Sequence, residues 1–338
     1  MSAARHALPV FHEVASPRVE VSGPRSARLS ITDRCDLACV YCRPSRTDGY
    51  LRERLDLTAW RTVIDGLFAT GIRRFRITGG EPLLHPDITS LVALIAARKP
   101  DDLALTTNGT RLAKLATPLA EAGLHRINIS IDTLDPQRFA SLTRGGDLSQ
   151  VLAGIDAAVV AKLRPIKLNI VVLRGMNDDE LDALTDFAWE RRLVPRFLEV
   201  MNIGEGSKHA HQRVEASELR ARLMPRLAPG APSAEKDRGP ARYLHALHDP
   251  ALRVGFITGA SETFCNTCDR LRVSADGVIR PCLARNEGID ASQAARAAEP
   301  SSVSELIGEA WRMKPDGETF QGCNEASARA VQMRAIGG

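Results

Sequence analysis

Residues 28–42 read Arg28-Leu-Ser-Ile-Thr32-Asp-Arg-Cys35-Asp-Leu-Ala-Cys39-Val-Tyr41-Cys42. A short apolar run ends at Thr32, and three cysteines follow at C-x3-C-x2-C spacing. The run reads as a strand, so the thiols sit on a loop at its C-terminal end. Similar runs recur at Arg74–Thr78, Leu103–Thr107, Arg126–Asp132, Ile166–Leu173 and Arg196–Met201. Between them, Thr58–Ala69, Asp87–Ala97, Lys114–Ala122, Asp147–Val160 and Asp178–Glu190 carry apolar residues at helical spacing. Such alternation implies parallel strands joined by right-handed crossovers. The result is an open doubly wound sheet or a partial barrel, with its reactive site at the C-terminal strand ends.

Beyond Met201 the pattern changes. Ile203–Lys208 reads as a glycine-bearing loop, and Ala228–Arg242 is rich in Pro, Gly and charge, as surface loops are. Short strands are expected at Arg253–Ile257 and Leu271–Ser274, the latter turning at Asp276-Gly277 into Val278–Arg280. A helix is expected over Val303–Arg312.

The 338 residues are 44% hydrophobic and 25% charged, which fits a folded globular chain and excludes disorder as its main state. No apolar run is long enough for a membrane span, and residues 1–24 lack the apolar stretch of a secretion signal. The net charge of +4 does not point to nucleic acid. Six of the seven cysteines form two close triplets, Cys35, Cys39, Cys42 and Cys265, Cys268, Cys282, with Cys323 alone. Such grouping suits metal or cluster ligation in a reducing cytoplasm better than disulfides.

Three thiolates hold three irons of a [4Fe–4S] cluster and leave the fourth open to a small molecule. Zinc is the alternative; it prefers four ligands, and a distant His would have to supply the fourth. The second triplet, C-x2-C-x13-C, poses the same choice, with a redox pair plus an unrelated cysteine as a third reading.

The first triplet, with aromatic Tyr41 before its last cysteine, resembles the radical S-adenosylmethionine (SAM) superfamily. So does Thr78-Gly-Gly-Glu-Pro82 one βα unit later, although alone it also reads as a tight turn before a helix. From about residue 25 to the end, the chain resembles the GTP 3′,8-cyclase family of that superfamily. The residues that carry this are Leu29–Cys35, Arg76–Leu83, Leu105-Thr-Thr-Asn-Gly109, Arg126–Asp132, Phe264-Cys-Asn-Thr-Cys-Asp-Arg-Leu-Arg272, Pro281-Cys-Leu283 and Ile336-Gly-Gly338.

The resemblance implies a partial (β/α)6 TIM-like barrel with a C-terminal α+β domain carrying a second cluster. It divides the chain into an N-terminal extension (1–24), a radical SAM core (25–202) and an auxiliary-cluster and substrate domain (203–338). It implies two [4Fe–4S] clusters, on Cys35, Cys39, Cys42 and on Cys265, Cys268, Cys282, with SAM as cosubstrate. Reduction of the first cluster splits SAM, and the 5′-deoxyadenosyl radical takes the 3′ hydrogen of GTP. The ribose radical closes on guanine C8, the first step of molybdenum cofactor biosynthesis. The second cluster holds the guanine edge, and a cyclic pyranopterin monophosphate synthase consumes the product. An external electron donor is implied, and a homodimer is compatible. Another radical SAM enzyme, acting on a peptide or a different metabolite, is the competing reading; a zinc-stabilised binding module is a third.

Residue by residue, the resemblance assigns SAM contacts to Tyr41, Gly80, Ser130 and Met201. It assigns GTP contacts to Arg28, Arg76, Thr106, Lys167, Arg270, Leu271 and Arg272, and places Gly337 and Gly338 in the catalytic cavity. Lys167 and Arg76 lie inside apolar strands, where an ordinary ion pair is the other reading; Ser130 also reads as a small residue in a packed strand, and Met201 by its residue type reads as core more than as a cofactor contact. By the period of two, Asn128 and Asp132 share the strand face of Ser130. Arg43 stands where the family often has Met, and Asn202 where Pro is common. The loop at 203–212 lacks a frequent Trp. His209 and His211 in that loop read as solvated, and Cys323 as an unpartnered thiol.

Overall fold

The computed structural model describes residues 23–230, 233–234, 239–262, 264–315 and 331–337. Residues 1–22 of the N-terminal extension, Cys323 and Gly338 lie outside them. Six parallel strands lie side by side in chain order: β1 (Ser26–Ser30), β2 (Arg74–Thr78), β3 (Asp102–Thr107), β4 (Arg126–Ser130), β5 (Ile166–Val172) and β6 (Val194–Glu199). The crossovers contain α1 (Leu57–Ala69), α2 (Ile88–Ala96), α3 (Leu112–Glu121), α4 (Pro136–Leu142), α5 (Leu148–Val160) and α6 (Leu181–Glu190). Every strand expected from the periodicity is present, shifted at most by two residues. Helix α4 is too short for periodicity to detect. Its signal is local: Pro136 at the first helical position and the Asp135 side chain accepting from two backbone amides at 2.8 Å.

The chain after β6 adds α7 (Ala216–Leu223), β7 (Ser233–Ala234), β8 (Arg242–His245), β9 (Arg253–Ile257), β10 (Arg270–Val273), β11 (Val278–Arg280), β12 (Ile289–Asp290), α8 (Ser292–Arg296) and α9 (Pro300–Arg312). Its strands extend both edges of the same sheet. β9 pairs parallel with β6, and β10 pairs parallel with β1. Antiparallel β8 and β7 continue one edge; β11 and β12 continue the other. Gly277, at φ +94°, makes the expected turn between β10 and β11. The described strands do not close on themselves, so the barrel is partial and open. The expected 203–208 loop is instead a run of tight helical turns, Gly204–Gln212.

Alternation along each strand divides the sheet into two faces. Leu29, Phe75, Ile77, Leu103, Leu105, Ile127, Ile129, Leu168 and Phe197 belong to one buried core shared with the helices. The N-cap Asp56, accepting from the Ala59 amide at 2.8 Å, starts α1, whose Trp60, Val63, Ile64 and Leu67 are buried. Gly66 lets α9 approach: a Cβ there would lie 2.7 Å from Val303 Cγ1. Truncating Leu67 removes methyl groups from a site with no solvent. Leu67→Ala should cost about 2–5 kcal/mol in urea unfolding, while Val160→Ala, at a position 78% exposed, should stay within about 0.5 kcal/mol.

Candidate active site

The inner face of the sheet is polar, and register sets its order. Arg28 lies beside both Arg272 of β10 and Arg76 of β2. Asn128 lies beside Thr106 and Lys167, and Asn169 beside Ser130 and Arg196. Of these, Arg28, Arg76, Arg196 and Arg272 line one chamber and Ser130 a second that adjoins it, the two sharing Thr106, Asn169, Leu198 and Met201 as a common wall.

The first chamber holds Cys35, Cys39 and Cys42, together with Tyr41, Gly80, Ser130, Asp132 and Met201. All four residues assigned to SAM are therefore gathered beside the first triplet. The Gly79-Gly80 turn is pressed against the cysteine loop. Gly80 N–H donates to the Thr32 carbonyl at 2.6 Å, and Glu81 N–H to the Arg34 carbonyl at 2.7 Å. A Cβ on Gly80 would lie 2.3 Å from that same Arg34 oxygen, so no other residue fits without moving the loop. Glu81 is buried and accepts from the Leu83 and Asn108 amides and the Thr107 hydroxyl at 2.7–2.9 Å. Burial outweighs these bonds and lifts its pKa to about 7. Tyr41 donates to Asp132 at 2.6 Å, which fixes the aromatic ring beside the thiols. Burial pushes the Asp132 carboxyl up to about 6. It also pushes all three thiols up, Cys42 to about 11. Such thiols give up their protons to a metal rather than to water.

The second chamber is cationic. Arg28, Arg76, Arg196, Arg270, Arg272 and Lys314 line it with Cys265, Cys268 and Cys282, and no carboxylate is among its described lining residues. Burial, then Arg270, Arg272 and Arg76, pulls the Arg28 guanidinium well below its usual range. Burial, then Arg126, Arg196 and Arg270, does the same to Arg76. Burial followed by Arg270 brings Arg272 to about 9. Guanidiniums stay charged near neutrality, so the shifts reflect burial first and mutual crowding second, both of which an anion would offset. Buried Nε atoms of Arg28 and Arg76 have no hydrogen-bond partner among the described residues. Burial would raise the Cys268 thiol, but Arg270, Lys314 and Arg272 hold it below its usual range. Cys268 therefore favours the thiolate form, the form of a cysteine that ligates metal.

Gly337, the last described residue, meets residues that line both chambers. Gly337, at φ +70°, offers its carbonyl to Arg272 Nη1 at 2.6 Å and Arg28 Nη1 at 3.3 Å. A Cβ there would stand 2.1 Å from Thr78 Cγ2.

Two expected contacts sit elsewhere. Lys167 is buried on the inner face, yet its ammonium donates to the Tyr243 hydroxyl at 3.1 Å and lines neither chamber. The Leu271 side chain packs into the core between Arg270 and Arg272. His209 is not a loop group facing solvent: its ring bonds Gln212 at 2.7 Å and the Val40 carbonyl at 3.2 Å. Sequence reading missed Arg196, although the period of two sets it opposite the core residue Phe197 in an expected strand. Lys314 had no such signal. It reaches the carbonyls of Arg270 and Pro281 from beyond the end of α9.

A family model for the radical SAM superfamily matches residues 29–188, and one described as Molybdenum Cofactor Synthesis C matches residues 194–320. GTP 3′,8-cyclase 1 of Pseudomonas aeruginosa is 43% identical over 303 residues, covering 88% of this chain and 92% of that protein. The GTP 3′,8-cyclase of Pelotomaculum thermopropionicum is 43% identical over 295 residues, covering 86% and 90%. Among solved structures, Streptococcus suis SuiB bound to S-adenosylmethionine superposes with a TM-score of 0.61 at 16% identity, over 91% of this chain and 72% of that one, a likeness of fold alone. Identity at this level over nearly the full length of the relatives, on a sheet that brings both cysteine triplets to one inner face, means that the chain belongs to the GTP 3′,8-cyclase family of radical SAM enzymes.

Proposed function

We propose that this enzyme converts GTP to (8S)-3′,8-cyclo-7,8-dihydroguanosine 5′-triphosphate, the first step of molybdenum cofactor biosynthesis. The observation that carries the reading is the cationic chamber, six Arg or Lys side chains and no carboxylate among its described lining residues, beside a chamber holding a cysteine triplet. A nucleoside triphosphate is the polyanion such a cavity fits. A neutral peptide would leave the charges unrelieved.

Cys35, Cys39 and Cys42 would hold the first [4Fe–4S] cluster, and Cys265, Cys268 and Cys282 the second. When bound, the first supplies the electron, drawn from an external donor, that splits SAM and so starts the hydrogen abstraction at GTP C3′. The chain's own residues position the reactants. Tyr41, Gly80, Ser130 and Met201 shape the SAM chamber. Arg28, Arg76, Arg270 and Arg272 take the phosphates, with Arg196 added to the set, while Thr106 spans both chambers. Lys167 reaches the substrate only by leaving Tyr243. Gly337 closes the cavity from the tail side and limits the access of water to a reactive radical, a role that the family resemblance extends to Gly338. The product passes to a cyclic pyranopterin monophosphate synthase, and the reaction takes place in the cytoplasm. No helix among the described residues is long and apolar enough to cross a membrane.

Three measurements test this reading. Anaerobically reconstituted protein should carry about eight iron and eight sulfide per chain; Cys268→Ser should then lose cyclised GTP while retaining SAM cleavage, and stoichiometric zinc with little iron would refute the enzyme. Arg76→Ala removes a cation whose Nε is unpaired. It should weaken GTP binding roughly 10- to 150-fold, the worth of a charge-assisted bond, and unchanged affinity would end the phosphate assignment. Gly337→Ala collides with Thr78 and should depress cyclised product severely while iron content and circular dichroism hold; wild-type turnover would show the tail to be a bystander.

A further inference from the structure

The residue after the last cysteine of the first triplet, Arg43, is only 3% exposed, and a long charged side chain is seldom buried without partners. Its guanidinium donates to the Cys35 carbonyl at 3.2 Å, to Asp48 Oδ1 at 2.9 Å and to the Tyr50 hydroxyl at 3.0 Å, tying together the two ends of the cysteine loop. Arg334 of the terminal one-turn helix Met333–Ile336 is 4% exposed and reaches the same carboxylate. Its Nη2 lies 2.9 Å from Asp48 Oδ2 and also donates to the Gly49 carbonyl. Both guanidiniums lie over the Tyr50 ring, 5.1 and 4.9 Å from its centroid. One carboxylate and one ring therefore join the cysteine loop to the tail. Neither Arg43 nor Arg334 lines the cationic chamber, while Arg334, with Met333, borders the first chamber.

We propose that Arg334 is a positioning residue. It latches the C-terminal tail to the Arg43–Asp48–Tyr50 clamp of the first cysteine loop and thereby sets Gly337 against Thr78, Arg28 and Arg272. One helical turn separates Arg334 from Gly337, and the Gly337 amide closes that turn on the Met333 carbonyl. Holding the arginine therefore holds the glycine. A single helical turn is not stable by itself, and the guanidiniums that hold the Gly337 carbonyl are the ones that an entering polyanion draws on. The tail needs an anchor that does not compete with substrate, and a buried pair outside the cationic chamber provides one.

The inference rests on the cyclase reading only where product is counted. The test is hydrogen–deuterium exchange of the C-terminal peptide in full-length, cluster-loaded protein, with product per SAM cleaved measured beside it. Arg334→Met, which keeps the apolar stem, should speed tail exchange roughly 10- to 150-fold and lower that product ratio, with iron content unchanged. Arg334→Lys, which keeps the charge, should restore most of both. Asp48→Asn should reproduce the loosening, and the double variant Asp48→Asn/Arg334→Met should be no looser than the single ones, because both remove the same contact. Unchanged tail exchange in Arg334→Met, no rescue by Arg334→Lys, or additive loosening in the double variant would each overturn the latch. An unaltered protein that makes no cyclised product would refute the cyclase reading, while the exchange measurements would still decide the latch.

Discussion

The structure is organised around an unfavourable arrangement, several guanidiniums held together on the inner face of one sheet without a carboxylate among the lining residues of their chamber. Arg28, Arg76 and Arg272 are pinned by strand register, so they cannot separate without breaking sheet hydrogen bonds. Burying charge is costly and like charges add to it. The opposite face of the same strands offsets that cost, because Leu29, Phe75, Ile77 and Leu271 pack into the main core. Each of these strands is thus apolar outside and cationic inside. The partners that do reach the arginines are weak acceptors, such as the Gly337 and Ile336 carbonyls on Arg272. A weakly held cation is easily transferred to a phosphate oxygen, which a tight salt bridge would prevent. Arg126 shows the contrast: it is paired with Asp102 through two of its nitrogens and is not among the lining residues of the chamber.

This division of faces also governs what the sequence discloses. The six core strands and their helices, α4 excepted, are legible because alternation and helical spacing are local patterns. Ser130 and Asp132 fall on the chamber side, as the period of two requires. The placing of β9 and β10 on opposite edges of the core sheet is not legible. Parallel pairing across long connections leaves no short-range mark, and both strands are only four or five residues long. Yet this pairing is what carries Cys265, Cys268 and Cys282 to the cavity. Lys167 shows a different limit. Its inward direction follows from alternation, whereas its bond to Tyr243 depends on β8, which reads from sequence as the edge of a charged loop. Glu81 shows a third. The motif marks the position, but only the fold shows its carboxylate holding the Thr107–Asn108 turn.

The two chambers and the tail are also coupled through packing. Ile203, Ala284, Val331 and Ile336 form a small buried cluster, with Met201, Cys282, Leu283 and Met333 against it. Met201 belongs to the wall common to both chambers, Cys282 to the second triplet and Ile336 to the tail. Removing water from Ile336 therefore draws three functional parts together in one step, without a polar bond between them. Thr78 completes the arrangement from the other side. It ends β2, leads directly into Gly79-Gly80 and is the surface on which Gly337 rests. Thr78 and that turn are continuous backbone, so the seat of Gly337 adjoins the turn docked on the cysteine loop. Arg28 of β1 and Arg272 of β10, side by side in register, hold its carbonyl. The last described residue thus touches parts of both chambers at once, which suits a chemistry whose intermediate must not form where water can reach it.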